Sequence, residues 1–320
     1  MNKKLIAAAV AAAMAPGLAN AGGATVYGHG QVEIGSWGGD ADGVSVSDEA
    51  RGRIGVKGSQ DVGGGMKALF KAEYKTDFAD GDSSGSISLT KRELMVGLKG
   101  AFGQVELGRL KQAYKYFGGV KYDPFVASNL EARGNAGMTS GAFGHNSFIS
   151  DSIGYQIKAG MFSLRLTYDL DDGGGEGVTN ATGANAYTLG AKVGSKAWEA
   201  GLAIASDDAT VEYEATKIFG KFSFAKMHTI HLQLETTEEG TEEHDVLYVN
   251  YSAKFGKNSV HVAYGEDDEN AALADEEFIR VAFMHKFSKK ARVWAGYRET
   301  TRDAANSDDS VVSLGMRVDI

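Results

Sequence analysis

The sequence predicts an all-β fold: a closed barrel of sixteen antiparallel strands that crosses a membrane, with its third loop folded inward. Three observations support this prediction. Apolar and polar residues alternate with period two through segments of about ten residues. Short turns and long acidic connections separate these segments in alternation. Only 2 of the 320 residues are proline, a residue that is excluded from central strands because it cannot donate to the ladder.

The alternation predicts which face of each strand meets which environment. In the first segment, Val32 and Ile34 share one face, and Gln31 and Glu33 share the other. The last segment, which ends at Ile320, follows the same pattern. Side chains cannot fill the interior of a barrel this wide. The apolar faces are therefore expected to meet lipid, and the charged faces are expected to line a wet lumen.

The connections give the strand count and the orientation. Seven short turns each join two strands, and contact between the first and last strands closes a barrel of about sixteen strands. Short turns are expected at the periplasmic rim and long loops at the outer rim. The short turns read KGSQDVGGGMK, KGAFGQ, KAGMF, VGSKAW, FGKF, KFGKN and KFSKK, and the long loops include GGDADGVSVSDE, ADGDSSGS, DDGGGEGVTNATGAN, ETTEEGTEEHD, EDDENAALADEE and RDAANSDD.

The N-terminal segment has the pattern of a secretory signal. Lys3 and Lys4 precede an apolar stretch, and a small-x-small site ends at Ala21. The alternative, an N-terminal helix of the mature fold, does not explain this order of zones. We therefore expect a signal peptide over residues 1–21 and one barrel domain over 22–320. Loss of the two lysines takes the net charge from −9 to −11, which disfavours nucleic acid as a partner.

One connection departs from the repeat. Between Arg109 and Ser147 the chain has no alternating segment, and it holds Pro124, several aromatic residues and both signs of charge. Loops of this length are uncommon unless they are functional. This one is too apolar to extend into water, so it is expected to fold into the lumen and narrow it.

At this point the chain resembles the general diffusion porins of Gram-negative outer membranes. The resemblance covers the whole chain and rests on TVYGHGQVEIG, SDEARGRIGVKGSQDVGGGMKALFKAEY, RELMVGLKGAFGQVELGR and DSIGY. It implies a homotrimer with one water-filled channel per subunit and a third loop folded into each lumen. Outer-membrane lipid and lipopolysaccharide are the other expected partners. The chain departs from the family at its end, where Ile320 replaces the usual aromatic residue, and around Phe148 and Asp151.

Basic residues on the polar strand faces predict a charged wall in the lumen. Facing acids on the inserted loop would create a transverse field that sorts solutes by charge. The alternative is that these charges only solvate a wide lumen. The predicted wall is Arg51, Arg53, Lys57, Lys71, Lys75, Arg92 (by resemblance) and Arg165, and the loop residues are Asp123 and Glu131 with Arg133 nearby.

Arg109 is treated separately because it ends the strand before the long loop. By resemblance, its position lies at a subunit contact. A role in the lumen is the alternative interpretation.

The predicted function is passive diffusion of ions and small hydrophilic solutes through this channel. The main alternative is a solute-specific channel for a sugar or an anion, lined by Tyr114, Tyr116 or Tyr122. A secreted glycan-binding β-protein and a barrel-embedded hydrolase are weaker alternatives. The sequence has no HExxH, P-loop or GxSxG motif, so we predict neither an enzyme nor a cofactor or metal site. The wall favours anions and the acidic loops favour cations, so the sign of selectivity stays open.

Overall fold

The structure is a computed structural model that describes residues 23–39, 43–47, 52–79, 89–139, 145, 148–170, 186–208, 211–269, 275–303 and 308–320. The predicted signal peptide and Arg51 lie outside these residues. No helix among them is long and apolar enough to cross a membrane.

The described chain is almost entirely β-strand. The strands are β1 (Thr25–Gly39), β2 (Gly43–Ser47), β3 (Gly52–Gly63), β4 (Met66–Thr76), β5 (Leu89–Gly100), β6 (Gly103–Lys111), β7 (Phe148–Ala159), β8 (Phe162–Asp169), β9 (Tyr187–Gly194), β10 (Trp198–Asp207), β11 (Tyr213–Phe224), β12 (His228–Glu239), β13 (Glu242–Phe255), β14 (Asn258–Glu269), β15 (Glu276–Lys286), β16 (Ala291–Arg302) and β17 (Asp309–Asp319). A short helix, α1 (Ala113–Tyr116), and a 3-10 turn, Gly119–Lys121, follow β6.

The strands close into a barrel of sixteen. Each pairs with its neighbour in antiparallel fashion, and β1 closes the sheet against β17, with Ile34 opposite Leu314. The segments β2 and β3 both pair with β1, one with its second half and one with its first, so together they form a single strand of the wall. The predicted barrel is confirmed.

Side chains alternate as the sequence predicts. On β17, Leu314 and Met316 are 58% and 54% exposed on the outer face, whereas Ser313, which precedes Leu314, is 1% exposed on the inner face. The outer face carries an apolar belt around the barrel, as a lipid-facing surface requires. Near the short turns, Phe224 and His228 stack at 5.0 Å and belong to an outward row of aromatic rings at the edge of this belt.

Several predicted connections contain strand residues: GGDADGVSVSDE holds β2, and most of KGSQDVGGGMK belongs to β3. Two further connections also differ from the prediction. The segment FGKF lies inside β11, and the turn that follows is residues 225–227, where Ala225 and Lys226 have positive φ. The acidic segment ETTEEGTEEHD is mostly strand, because β12 and β13 continue to a tight turn at Gly240. The two strands stay paired from Thr236 opposite Asp245 to Glu239 opposite Glu242, so the hairpin extends in regular register.

Candidate functional site: the lumen at the third loop

The described part of the third loop, residues 112–139 and 145, lies inside the barrel. Tyr114 and Leu130 are fully buried although they belong to a connection. Aromatic and aliphatic residues of the loop pack against small wall residues such as Ala203 and Ala215. Burial of each large apolar side chain contributes about 1.5–3 kcal/mol, which favours the folded-in position over solvent. The predicted inward fold of this loop is confirmed.

The first anchor of the loop is a buried ion pair. Arg280 on β15 donates from Nη1 to Asp123 Oδ1 at 2.7 Å and to the Leu130 carbonyl at 2.7 Å. Its Nη2 donates to Tyr248 at 3.0 Å and to Asn250 at 3.2 Å. Both charged side chains have 0% exposure. The structure therefore places Asp123, predicted as a pore acid, in contact with the wall and not with solvent.

The second anchor joins the loop to β11 and β12. Glu235 accepts hydrogen bonds from Tyr114 at 2.9 Å and from Thr139 at 2.9 Å. Lys217 donates to the Tyr114 carbonyl, and its Nζ lies 2.9 Å from His145 Nε2. His145 Nδ1 lies 2.8 Å from the Thr139 carbonyl, which fits a neutral ring that donates there and accepts from Lys217. Neither Lys217 nor Glu235 was predicted as a site residue.

Burial and neighbouring charge keep His145 neutral. The pKa of His145 lies well below its usual range, because the ring is desolvated and because Lys217, Arg133 and Lys115 oppose a further positive charge. Glu235 approaches Nδ1 only to 3.6 Å. A proton added to His145 would face the Lys217 ammonium directly.

The opposite side of the lumen carries the basic wall. Lys71 lies 3.4 Å from Glu73 and also pairs with Glu93, so two carboxylates interleave with the cations. Arg92 donates to Glu73 at 3.0 Å. Lys75 lies opposite Arg53 across β3 and β4. Of the remaining wall residues, Lys57 lies 4.9 Å from the ring centre of Tyr27, and Arg165 binds Glu106 at 2.7 Å.

A bulge explains the position of Arg92. Glu73 is opposite Glu93, but the next residue of β4, Tyr74, is opposite Lys91, so Arg92 is an extra residue in β5. A bulge turns an additional side chain toward one face. Arg92 and Glu93 are accordingly both buried on the inner side, which strict alternation would not allow.

Two lysines of the loop, together with Lys111 at the end of β6, lie beside this basic wall. The ammonium groups of Lys111, Lys115 and Lys121 lie 5.1, 5.8 and 5.2 Å from the ring centre of Tyr116. We call these three residues the lysine cluster. The pKa of Lys121 is lowered by desolvation and by nearby cations, among which are Lys111 and Arg53. The described cations on this side include Arg53, Lys57, Lys71, Lys75, Arg92, Lys111, Lys115, Lys121, Arg165 and Lys192, and the carboxylates among them include Asp61, Glu73, Glu93, Glu106, Asp169 and Glu199.

The other predicted loop charges bind each other. Arg133 Nη2 lies 2.9 Å from Glu131, and Nη1 donates to the His145 carbonyl at 3.2 Å. Glu131 also accepts from the backbone of Ala127 at 2.7 Å. These contacts hold the loop in shape.

Two of the three tyrosines in the loop act as anchors. Tyr114 binds Glu235, and Tyr122 donates to Glu199 at 3.1 Å. Both are almost fully buried. Tyr116, enclosed by the lysine cluster, is the one that lies among the cations of the basic wall.

Arg109 lies on the outer side of β6, two residues from the exposed Leu107. Its Nη1 donates to Ser150 at 2.7 Å, and its guanidinium lies 5.9 Å from the ring centre of Phe148. The outward position is compatible with a subunit contact.

An outward apolar belt, a charged lumen and a loop folded inside define a membrane channel of the β-barrel class. A family model described as "Gram-negative porin" matches residues 7–305 of the chain. The chain therefore belongs to the Gram-negative porins, and it forms a channel in the outer membrane for ions and small hydrophilic solutes.

Individual relatives agree with this assignment. Outer membrane porin protein 32 of Delftia acidovorans is 26% identical over 317 residues, covering 92% of this chain and 88% of that protein. The anion-selective porin from Comamonas acidovorans has a TM-score of 0.77 at 20% identity, over 93% of this chain and 100% of that one. The trimer form of OmpT from Vibrio cholerae has a TM-score of 0.71 at 14% identity, over 94% of this chain and 100% of that one. At these identities the two structures show the fold alone.

Proposed function

We propose that this porin conducts anions in preference to cations. The observation that carries the proposal is the lysine cluster beside the basic wall. Two loop lysines there join Lys111 of β6, which lies 3.2 Å from Glu93, on a surface that holds more cations than carboxylates. Charged groups that line a constriction set its ion preference. The two loop acids that would oppose the wall, Asp123 and Glu131, are bound to Arg280 and Arg133.

The experiment is a reversal-potential measurement in planar bilayers under a KCl gradient. The double variant Lys111→Gln, Lys121→Gln should move the reversal potential toward cation preference, because it removes two positive charges from the constriction. The matched control, Lys226→Gln with Lys289→Gln, makes the same charge change at the short turns. An equal shift in both variants would show that total charge, and not the lysine cluster, sets the preference.

A solute-specific anion channel is the second candidate, because the lysine cluster surrounds the ring of Tyr116 with three ammonium groups. A multivalent anion such as phosphate would then reduce chloride current in a saturable way. A general porin would show current in proportion to phosphate concentration. The same bilayer recordings distinguish the two outcomes.

We further propose that the protein is a homotrimer exported by a signal peptide cleaved after Ala21. Arg109 lies outward beside Leu107, and one structural neighbour, OmpT, is described in a trimer form. N-terminal sequencing of outer-membrane protein tests the cleavage. Light scattering in detergent tests the trimer, and Arg109→Ala should lower its dissociation temperature. The partners proposed for the outer surface are membrane lipid and lipopolysaccharide.

A further inference from the structure

A histidine and two carboxylates meet on the inner face of the barrel near the long-loop rim. His244 on β13 lies directly opposite Glu269 on β14, and Asp267 lies two residues away on the same face of β14. His244 Nδ1 is 3.1 Å from Asp267 Oδ1 and 3.2 Å from Glu269 Oε1. The strand pairing fixes all three side chains on one surface.

The spacing of the three donor atoms approaches that of a metal coordination shell. They all lie within 4.8 Å of one another. Ligands bound at 2.0–2.2 Å in tetrahedral geometry are about 3.4 Å apart. The distances from His244 to the two carboxylates are close to this value. Small side-chain rotations would bring all three donors around one ion.

The charge balance at this surface also favours a divalent cation. If His244 is protonated, it neutralises one of the two carboxylates it contacts and leaves one negative charge. Glu239 and Glu276 line the same cavity, and Glu276 pairs with Arg302 on β16. A divalent ion bound by neutral His244 and both carboxylates would leave no net charge on the three ligands.

The cavity gives such an ion access and partial shelter. The third-loop residues Gly134 and Met138 line it together with the strand residues Tyr213 and Thr237. The side chains of His244, Asp267 and Glu269 are 23%, 12% and 11% exposed. They are reachable from the lumen but have lost most of their hydration, which strengthens their attraction for a cation.

We propose that His244, Asp267 and Glu269 form a binding site for a first-row divalent metal ion in the outer vestibule of the channel. The imidazole nitrogen sets the class of metal. It suits Zn²⁺ and its neighbours, whereas Ca²⁺ and Mg²⁺ are bound by oxygen ligands. Bound metal would neutralise the acids above the third loop.

The test is calorimetric titration of the folded, detergent-solubilised porin with Zn²⁺. We expect saturable binding of one ion per chain and no comparable binding of Mg²⁺. His244→Ala should weaken Zn²⁺ binding at least about tenfold, and Asp267→Asn with Glu269→Gln should do the same. The matched control is His285→Ala, which removes a histidine that binds Asn258 at the short-turn end of β15.

The outcomes of this titration are independent of whether the protein conducts ions. If His244→Ala fails to fold, His244→Gln replaces it, since glutamine preserves a hydrogen-bonding side chain and removes the imidazole. Absence of saturable Zn²⁺ binding by the wild-type protein, or equal affinity in the ligand variants, overturns the metal site. Either result would leave His244 as an ion-pair partner of Asp267 and Glu269. Neither result would bear on the channel function, which bilayer conductance tests separately.

Discussion

The two sides of the lumen use charged residues differently. On the side of β3–β9, cations such as Lys71 and Lys111 remain partly exposed, at 16% and 30%. On the side of β11–β15, Arg280, Lys217 and Glu235 are fully buried beneath the third loop and bind it. Strand parity places both sets inside the barrel. The position of the loop decides which charges meet the solute and which hold the constriction in place.

Removal of Arg280 should have the largest effect on this difference between the two sides, because it removes an anchor of the third loop. Arg280→Ala leaves the Asp123 carboxylate buried without its counter-ion, and loss of one partner of a buried pair costs about 3–5 kcal/mol. We expect a lower unfolding temperature and irregular single-channel currents, because the loop loses its contact with β15. Thermal unfolding followed by circular dichroism, together with bilayer recording, measures both.

A rim arginine provides the control for this prediction. Arg302 contacts Glu276 and Asp309, with the three side chains 19%, 21% and 20% exposed. Partly exposed pairs contribute about 0–1 kcal/mol. Arg302→Ala should therefore destabilise the barrel much less than Arg280→Ala. Equal destabilisation would mean that burial beneath the loop does not distinguish the two arginines.

The alternation determined most of what the sequence could predict. Period two was enough to place Gln31 and Glu33 inside and Val32 and Ile34 outside, and the connections gave sixteen strands and the inserted loop. The failure of FGKF to form a turn shows the limit, because glycine and lysine also occur within strands of a polar lumen. Composition did not reveal where such a strand ends.

The roles of individual charges depended on contacts that the sequence does not contain. Asp123 was predicted from its place on the loop, but its partner Arg280 is 157 residues away. The pattern EFIRVAF does place Arg280 on the lumen face, so parity could have identified it as a candidate. The inward position of Arg92 depends on a bulge in β5 that no local sequence pattern predicts. Long-range packing, and not residue type, separates anchors from pore-lining groups.

A glycine on the anchored side offers a finer test of the loop position. A Cβ at Gly265 on β14 would lie 2.5 Å from Gly137 Cα and 2.6 Å from the Ala136 carbonyl oxygen in the loop. Gly265→Ala should therefore displace the loop backbone at a cost of about 1–3 kcal/mol. The expected results are a lower unfolding temperature and an altered single-channel conductance.

Gly220 on β11 is the matched position for this change. Its nearest neighbour, the Glu199 carbonyl oxygen, would be 3.6 Å from an added Cβ, which is ordinary van der Waals contact. Gly220→Ala should leave conductance unchanged. If Gly265→Ala also does so, the loop is not held at this point by close packing against β14.

The smallest expected effect is a pH dependence of the second anchor. His145 has a pKa well below its usual range, whereas a histidine in the unfolded chain titrates near pH 6.5. Between these two values the unfolded state binds more protons, so stability falls as the pH drops below about 6.5 and is fully restored above it. Each unit between the two pKa values corresponds to about 1.4 kcal/mol at most. His145→Gln should flatten this part of the stability profile measured by thermal unfolding from pH 7.5 to 5. An unchanged slope would assign the acid sensitivity to the carboxylates of the wall, because the glutamine variant has lost the only group at this position that titrates.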